Sequence, residues 1–364
     1  MPAQIRVLIA DDSALMRRVL REILETDPRV EVVGAARDGV DLLDKAARLK
    51  PDVITLDINM PNMDGLTALG HLVRDGLGQV VMVSSLTQAG AEATLKALEM
   101  GAFDCVAKPG GTVSANLTVV SDELLRKVRA AASAGTVVRL ARPRKRPGLA
   151  AEPVRPAAPV PQRSRPAPSV PPVGHKAVAI GISTGGPKTI LDVLPALPAD
   201  LPAAVFMVQH LPPSFTASYA ERLDRCCRMR CLEAQSGMVV QPGTIYLGQG
   251  GRHLTVARRT TGEVVIRTPS RPEHAFMPSV DVMMESILGV YGQDTVGVLM
   301  TGMGDDGAKA MAAIHQAAGV TIAESEESAV VWGMPGAAVA LNAVQLLAGS
   351  WEMAREIIKA VQGR

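Results

Sequence analysis

The sequence predicts two α/β domains, each built on a doubly wound, mostly parallel sheet, joined by an extended tether. Three observations predict it. Apolar runs of strand length alternate with amphipathic helical patterns along most of the 364 residues, the rhythm of parallel sheets covered by helices. Composition breaks after about Arg139, where proline and arginine displace apolar periodicity as far as about His175. Carboxylates, hydroxyls and an imidazole follow directly on several apolar runs, at the strand ends where such sheets hold ligands.

In the first block the strand-like segments are 5–10, 30–36, 52–57, 80–85 and 103–108, with amphipathic stretches at 14–25, 40–49, 65–74 and 91–100 and a last helix at 121–132. Five β-α repeats imply one parallel five-stranded sheet. The next segment, RLARPRKRPGLAAEPVRPAAPVPQRSRPAPSVPPVGH, cannot bury enough surface to offset its ordering entropy and reads as a tether. The second block has strand-like segments at 178–183, 204–210, 244–248, 253–257, 263–267, 295–302, 320–324 and 343–349, and helical patterns at 187–197, 215–226, 280–290 and 307–318. A small antiparallel excursion is expected between about Gly243 and Arg267. The expected domains are 1–135, the tether 136–175, and 176–364.

Bulk composition excludes several classes. A 47% hydrophobic, 20% charged chain of net charge +2 is an ordinary α/β composition. No apolar run of about 18 residues is present, so no membrane insertion is expected. The opening MPAQIRVLIADDS meets two acids where a secretory signal needs a longer apolar core, which favours the cytoplasm. Cys226, Cys227 and Cys231 lie in ERLDRCCRMRC, read as a basic helix face; with Cys105 they form no zinc spacing and read as reduced thiols.

Three strands of the first block end in charged residues: Asp11 and Asp12, Asp57, and Lys108 before Pro109. In a parallel sheet these ends share one edge, so three carboxylates and an ammonium converge there. Such a trio is costly without a hard cation, and oxygen ligands at this density suit Mg²⁺. One carboxylate can then take a phosphoryl group as an acyl phosphate, with Lys108 as a point charge on it and the Ser84 hydroxyl able to turn toward it. The alternative for Asp11 and Asp12 is helix capping.

In the second block Gly181-Ile182-Ser183-Thr184-Gly185-Gly186-Pro187 satisfies G-x-S-x-G between a strand and a helical pattern. A tight glycine turn there presents the serine hydroxyl at the sheet edge. The segment nearly spells a phosphate loop, but Pro187 between Gly186 and Lys188 breaks the register. The next strand ends in Gln209-His210, and the strand at 295–302 leads into TGMGDDG with Asp305 and Asp306. Ser183, His210 and one of these aspartates therefore suit a nucleophile, a base and an orienting acid. The chain order Ser–His–Asp differs from that of ordinary α/β-hydrolases. His253 reads as a packing residue.

The motifs VLIADDSALMR, TLDINMPNMDGL, VMVSSLT and AKPG, across about residues 4–127, resemble the flavodoxin-like receiver domain of two-component response regulators. The resemblance implies Asp57 as phospho-acceptor, Mg²⁺ on Asp12, Asp57 and the Asn59 carbonyl with Asp11 assisting, and Ser84 and Lys108 as switch residues. Cys105 stands where this family often has an aromatic residue. GISTGGP, QHLPPSFT, GRHL, MPSVDVM, LMTGMGDDG and WGMPGAA, across about 176–361, resemble the catalytic domain of the chemotaxis protein-glutamate methylesterases, the CheB family.

This second resemblance implies hydrolysis of glutamate methyl esters on chemoreceptors, and deamidation of receptor glutamines, without a cofactor for the hydrolysis. Ser183 would be the nucleophile, His210 the base and Asp306 the acid, with Thr184 and Met303 at the oxyanion site. A chemotaxis histidine kinase would be the phosphodonor. The unphosphorylated receiver would cover the hydrolase cleft, and phosphorylation of Asp57 would open it. Two residues depart from the family pattern: Asp305 stands in place of an asparagine and adds charge beside the imidazole, and Met277 stands where an arginine often precedes PSVD. A non-enzymatic regulator is the rival reading. A nucleic-acid partner is not expected, since no recognition helix with clustered basic residues is visible.

Overall fold

A computed structural model describes residues 4–85, 87–108, 114–140 and 174–363. Most of the expected tether, together with Leu86, Pro109 and Gly110 of the motifs above, lies outside the described residues.

The N-terminal domain alternates β1 (Ile5–Ala10), α1 (Ala14–Leu24), β2 (Val30–Ala36), α2 (Gly39–Leu49), β3 (Val53–Leu56), α3 (Gly65–Asp75), β4 (Gln79–Ser84), α4 (Gln88–Met100), β5 (Asp104–Ala107) and α5 (Ser114–Leu140). Its five strands are parallel in the order β2-β1-β3-β4-β5. Strand β3 is buried throughout, as a strand covered on both faces must be, and its near-continuous apolar sequence follows from that. Ser13, not an aspartate, caps α1 by accepting from the Met16 N–H, so capping does not account for Asp11 and Asp12. The last helix runs well beyond the expected 121–132, to Leu140.

The C-terminal domain runs β6 (Lys176–Ile182), α6 (Gly186–Thr189), β7 (Ala203–Gln209), α7 (Pro213–Cys226), β8 (Arg230–Glu233), β9 (Thr244–Leu247), β10 (Thr255–Arg258), β11 (Val264–Arg267), α8 (Val280–Tyr291), β12 (Thr295–Leu299), α9 (Ala308–Gln316), β13 (Val320–Glu324), α10 (Met334–Ala340), β14 (Leu346–Ala348) and α11 (Ser350–Gln362). Seven strands form one parallel sheet in the order β14-β13-β12-β6-β7-β9-β8, and β10 pairs β11 antiparallel. Strands β12, β6 and β7 are neighbours, so their C-terminal ends share one edge.

Four local expectations change. The antiparallel excursion consists of β10 and β11, with β11 also bridged antiparallel to Val239, because β9 lies inside the main sheet, parallel to both β7 and β8. The helix expected at 187–197 stops at Thr189 and continues as two 3-10 turns, Ile190–Asp192 and Leu194–Ala196; Pro195 brings no N–H with which to extend it. The cysteines do not share a helix face: α7 ends at Cys226, Cys227 is extended, and Cys231 belongs to β8. Strand β8 and helices α10 and α11 are additional to the expected elements. β8 is only four residues, with its charges at the two ends and Cys231 and Leu232 between them, too short for a periodicity to show.

The two domains pack directly. Helix α4 lies against α7, where the Arg222 guanidinium pairs with the Glu99 carboxylate. One buried apolar cluster runs from Leu95 and Leu98 of α4 to Phe215 and Tyr219 of α7. This docking brings β5 and α5 over the end of the C-terminal sheet where β6 and β7 terminate.

Candidate active site

Ser183 leaves β6 on a turn that the neighbouring residues fix. Its N–H donates to the Thr301 carbonyl at 2.9 Å, and the Thr301 hydroxyl donates to the Thr184 carbonyl at 2.9 Å. Thr301 is itself held, because its N–H donates to the buried carboxylate of Glu324 at 2.8 Å. Gly185 has φ +79°, and a Cβ there would come within 2.5 Å of Val330, so the turn needs glycine for both conformation and space. Gln209, fully buried at the end of β7, donates to the Ser183 carbonyl at 2.9 Å.

His210 follows β7 and reaches across to the serine. Its Nδ1 lies 3.1 Å from Ser183 Oγ, and its Nε2 lies 2.9 Å from Asp306 Oδ2. With the Nε2–H donated to the carboxylate, Nδ1 keeps its lone pair for the serine proton. The structure thus brings together the three residues that the sequence placed at separate strand ends. Of the two aspartates after β12, Asp306 is buried and makes this bond, whereas Asp305 is exposed.

Asp306 is held at the start of α8. Its Oδ2 accepts the Val280 N–H at 2.8 Å, and its Oδ1 accepts the Asp281 N–H at 3.1 Å and the Ser279 hydroxyl at 2.8 Å. Burial works to raise this carboxyl, but the His210 bond and the two helix N–H groups outweigh it and bring it down to about 2. It stays ionised and orients the imidazole. Ser279 in turn donates its N–H to Nδ1 of His253 at 3.2 Å, and Nε2 of the fully buried His253 faces the Pro272 carbonyl at 2.8 Å. His253 therefore does pack, and its packing braces the residue that braces Asp306.

A cavity of about 720 Å³ opens over Ser183. Thr184, Met303 and Met277 line it, as do Phe276 and, from the N-terminal domain, Asp104, Cys105, Arg126 and Lys127. The Thr184 hydroxyl donates to Asp104 Oδ2 at 2.5 Å. Asp104 is held from behind by Lys127, 3.0 Å from Oδ1, and Lys127 also pairs with Glu123 at 2.8 Å. Burial opposes the charge on Lys127, but Asp104 and Glu123 outweigh that and raise its pKa. Burial pushes the Cys105 thiol up to about 12, which makes it an inert neutral group.

A second cluster lies at the C-terminal ends of β1, β3 and β5. Ligand atoms of Asp11, Asp12 and Asp57 lie within 4.8 Å of one another. Lys108 Nζ is 2.9 Å from both Asp11 Oδ2 and Asp57 Oδ2. Asp57 also accepts the Ile58 N–H at 2.8 Å, and Asp11 the Ser13 N–H at 2.9 Å. Burial pushes the Asp57 carboxyl up against the opposing pull of Lys108. Asp11 and Asp57 are almost wholly buried; three carboxylates against one ammonium leave a negative excess there, which fits a hard divalent cation. Asn59 is exposed in the loop after β3. Ser84 is buried, with its hydroxyl 3.4 Å from the carbonyls of Ser85 and Gly90, at the start of α4.

Sequence reasoning missed the supporting roles of Ser279, Gln209, Thr301 and Glu324, and the cleft residues Phe276, Asp104 and Arg126. The Ser-Val-Asp run before α8 carries a helix-cap signal for Ser279. The others carry none, since their partners come from remote elements.

The profile described as CheB methylesterase matches residues 178–357, and that of the response regulator receiver domain matches residues 7–116. The chain is 53% identical over 364 residues to "Protein-glutamate methylesterase/protein-glutamine glutaminase 3" of Syntrophomonas wolfei, covering 98% of this chain and 99% of that one. It is 44% identical over 366 residues to the protein of the same activity name from Caldanaerobacter subterraneus, with 99% and 98% covered. The crystal structure of the Thermotoga maritima CheB methylesterase catalytic domain superposes with TM-score 0.50 at 34% identity, covering 51% of this chain and 99% of that one.

Proposed function

The chain belongs to the protein-glutamate methylesterase (CheB) family, and we propose that Ser183, His210 and Asp306 are the nucleophile, base and orienting acid with which it hydrolyses its esters. It is a protein-glutamate methylesterase/protein-glutamine glutaminase fused to a receiver domain, and it serves adaptation in chemotaxis. The observation that carries the assignment of residues is the unbroken relay from Ser183 Oγ through both nitrogens of His210 to the ionised Asp306.

In this reading Ser183 Oγ attacks the carbonyl carbon of a glutamate γ-methyl ester while His210 Nδ1 takes the hydroxyl proton. Asp306 stabilises the resulting imidazolium through the Nε2–H. The tetrahedral oxyanion forms beside Thr184 and Met303, whose backbone N–H groups are the proposed donors. His210 returns the proton to the departing methoxide, releasing methanol and leaving an acyl-serine. Water, deprotonated by His210, attacks the acyl carbon; Ser183 regains its proton and the glutamate carboxylate is freed. With a glutamine substrate, ammonia leaves in place of methanol.

Control belongs to the other domain. Asp57 is the proposed phospho-acceptor, with Ser84 and Lys108 as switch residues. Asp11, Asp12, Asp57 and the Asn59 carbonyl are the proposed holders of Mg²⁺, which, when bound, neutralises charge on the transferring phosphoryl group. Lys108 follows directly on β5, and β5 begins with Asp104, which bonds Thr184. That continuity supports the reading that phosphorylation loosens the docked domain and opens the cleft. A histidine kinase is the proposed phosphodonor and the cytoplasmic helices of chemoreceptors the substrate. Among the described residues no helix is long and apolar enough to cross a membrane, and we place the protein in the cytoplasm with those helices.

The test is methanol release from methylated receptor with and without a small-molecule phosphodonor. Wild type releases methanol and is stimulated, Asp57→Asn is not stimulated, and Ser183→Ala releases none. Turnover by Ser183→Ala would remove the serine mechanism, and signalling that persists without turnover would favour a scaffold.

A further inference from the structure

Phe276 lies flat on the imidazole of His210, with ring centroids 4.4 Å apart and planes 7° from parallel. The chain holds only four phenylalanines, and this one is half-buried at the cleft rather than in a core. Its segment is tied down on both sides: the Phe276 N–H donates to Nδ1 of His274 at 3.2 Å, and the Met277 carbonyl accepts the Gly251 N–H at 2.9 Å. The Arg126 guanidinium of α5 sits over the same ring, 5.2 Å from its centroid.

Two hydrogen bonds hold the imidazole at its edge, one to Ser183 and one to Asp306. The N–H and the lone pair of an imidazole point along the ring plane, so these bonds resist displacement within it strongly and tilting out of it weakly, since hydrogen bonds bend softly over tens of degrees. A flat ring against the imidazole face opposes that tilt directly and keeps water off that face. We propose that Phe276 is a positioning residue for His210, holding the plane of the base in the orientation that takes the Ser183 proton. This inference rests on the assignment of Ser183 and His210 made above.

The test compares wild type, Phe276→Leu and Phe276→Tyr in the full chain with phosphodonor, by two readouts: methanol release from methylated receptor, and the rate at which an alkyl fluorophosphonate labels the nucleophile. In labelling, the serine oxygen bonds phosphorus, fluoride leaves and the proton passes to the base, so the rate reports on His210 without any receptor contact. Leucine keeps apolar bulk and loses the flat stack. We expect Phe276→Leu to lower kcat and the labelling rate together by about three- to tenfold, the range of an aromatic stacking contact. KM should hold, and Phe276→Tyr should restore both rates.

Leucine performing as well as phenylalanine in both assays overturns the proposal. So does a loss in receptor turnover with labelling unchanged, which makes the ring a substrate contact. The comparison repeated on an Arg126→Gln background should give the same ratio; a ratio that falls to one means the ring acts only through the arginine. Failure of the wild type to label, or labelling of Ser183→Ala, instead removes the catalytic assignment itself. Equal thermal melting of the variants keeps misfolding apart from these outcomes.

Discussion

The Thr184 hydroxyl and the Asp104 carboxylate meet at 2.5 Å, joining the residue after the nucleophile to the first residue of β5. Lys127 pairs with the other oxygen of the same carboxylate, and a hydrogen bond onto a carboxylate is stronger than one between neutral groups. The bond occupies a side chain at the proposed oxyanion site, so the docked domain both covers the cleft and engages its machinery.

Removing that bond should release the enzyme. Asp104→Ala leaves Lys127 paired with Glu123 and deletes a charged hydrogen bond worth about 1.5–3 kcal/mol. Methanol release without phosphodonor is expected to rise by roughly ten- to a hundredfold, on the scale of about 1.4 kcal/mol per decade. The rate with phosphodonor should hold steady.

The Arg222–Glu99 pair between α7 and α4 is partly exposed, so its contribution is smaller, about 1 kcal/mol or less. Arg222→Ala should raise the unstimulated rate by no more than about fivefold. The difference from wild type should shrink in high salt, which titration of activity against ionic strength would show.

Asp306→Asn should cut kcat by roughly 10⁴-fold, since an amide no longer stabilises the imidazolium. It also has a stability signature. The Asp306 carboxyl is lowered from 3.8 to about 2 on folding, so the ionised form favours the folded state at pH values above about 4, and this contribution disappears as pH falls through about 2. Its size is about 2 kcal/mol. Urea unfolding should find the variant less stable at pH 6, with the gap closing in acid.

Ser279 both caps α8, accepting from the Val282 N–H at 3.3 Å, and donates to Asp306. Ser279→Ala should cost about 1 kcal/mol of stability. A several-fold drop in kcat is expected with it, as the acid loses one of its holders; unfolding and turnover measured on the same preparation check both.

Much of this was legible along the chain. Ser183, His210 and Asp57 each follow a run of apolar residues, and in a parallel sheet such positions fall on one edge whatever the detail of packing. The small errors came where local pattern is weak. Strand β8 has four residues, too few for periodicity, and β9 looked like part of a hairpin because pairing partners are chosen by the sheet rather than by neighbours in sequence.

What the amino-acid order determined by itself was the alternation of strands and helices and the residues at strand ends, because periodicity and turn chemistry are local. The motif resemblance pointed to Asp306 rather than Asp305, and the tertiary structure supplied the physical reason: the approach of α8 buries that carboxylate and gives it donors. The tertiary structure alone decided that Phe276 covers the imidazole and that Asp104 reaches Thr184. Those contacts join residues from distant parts of the chain, and their geometry exists only once two sheets and the helices between them have packed.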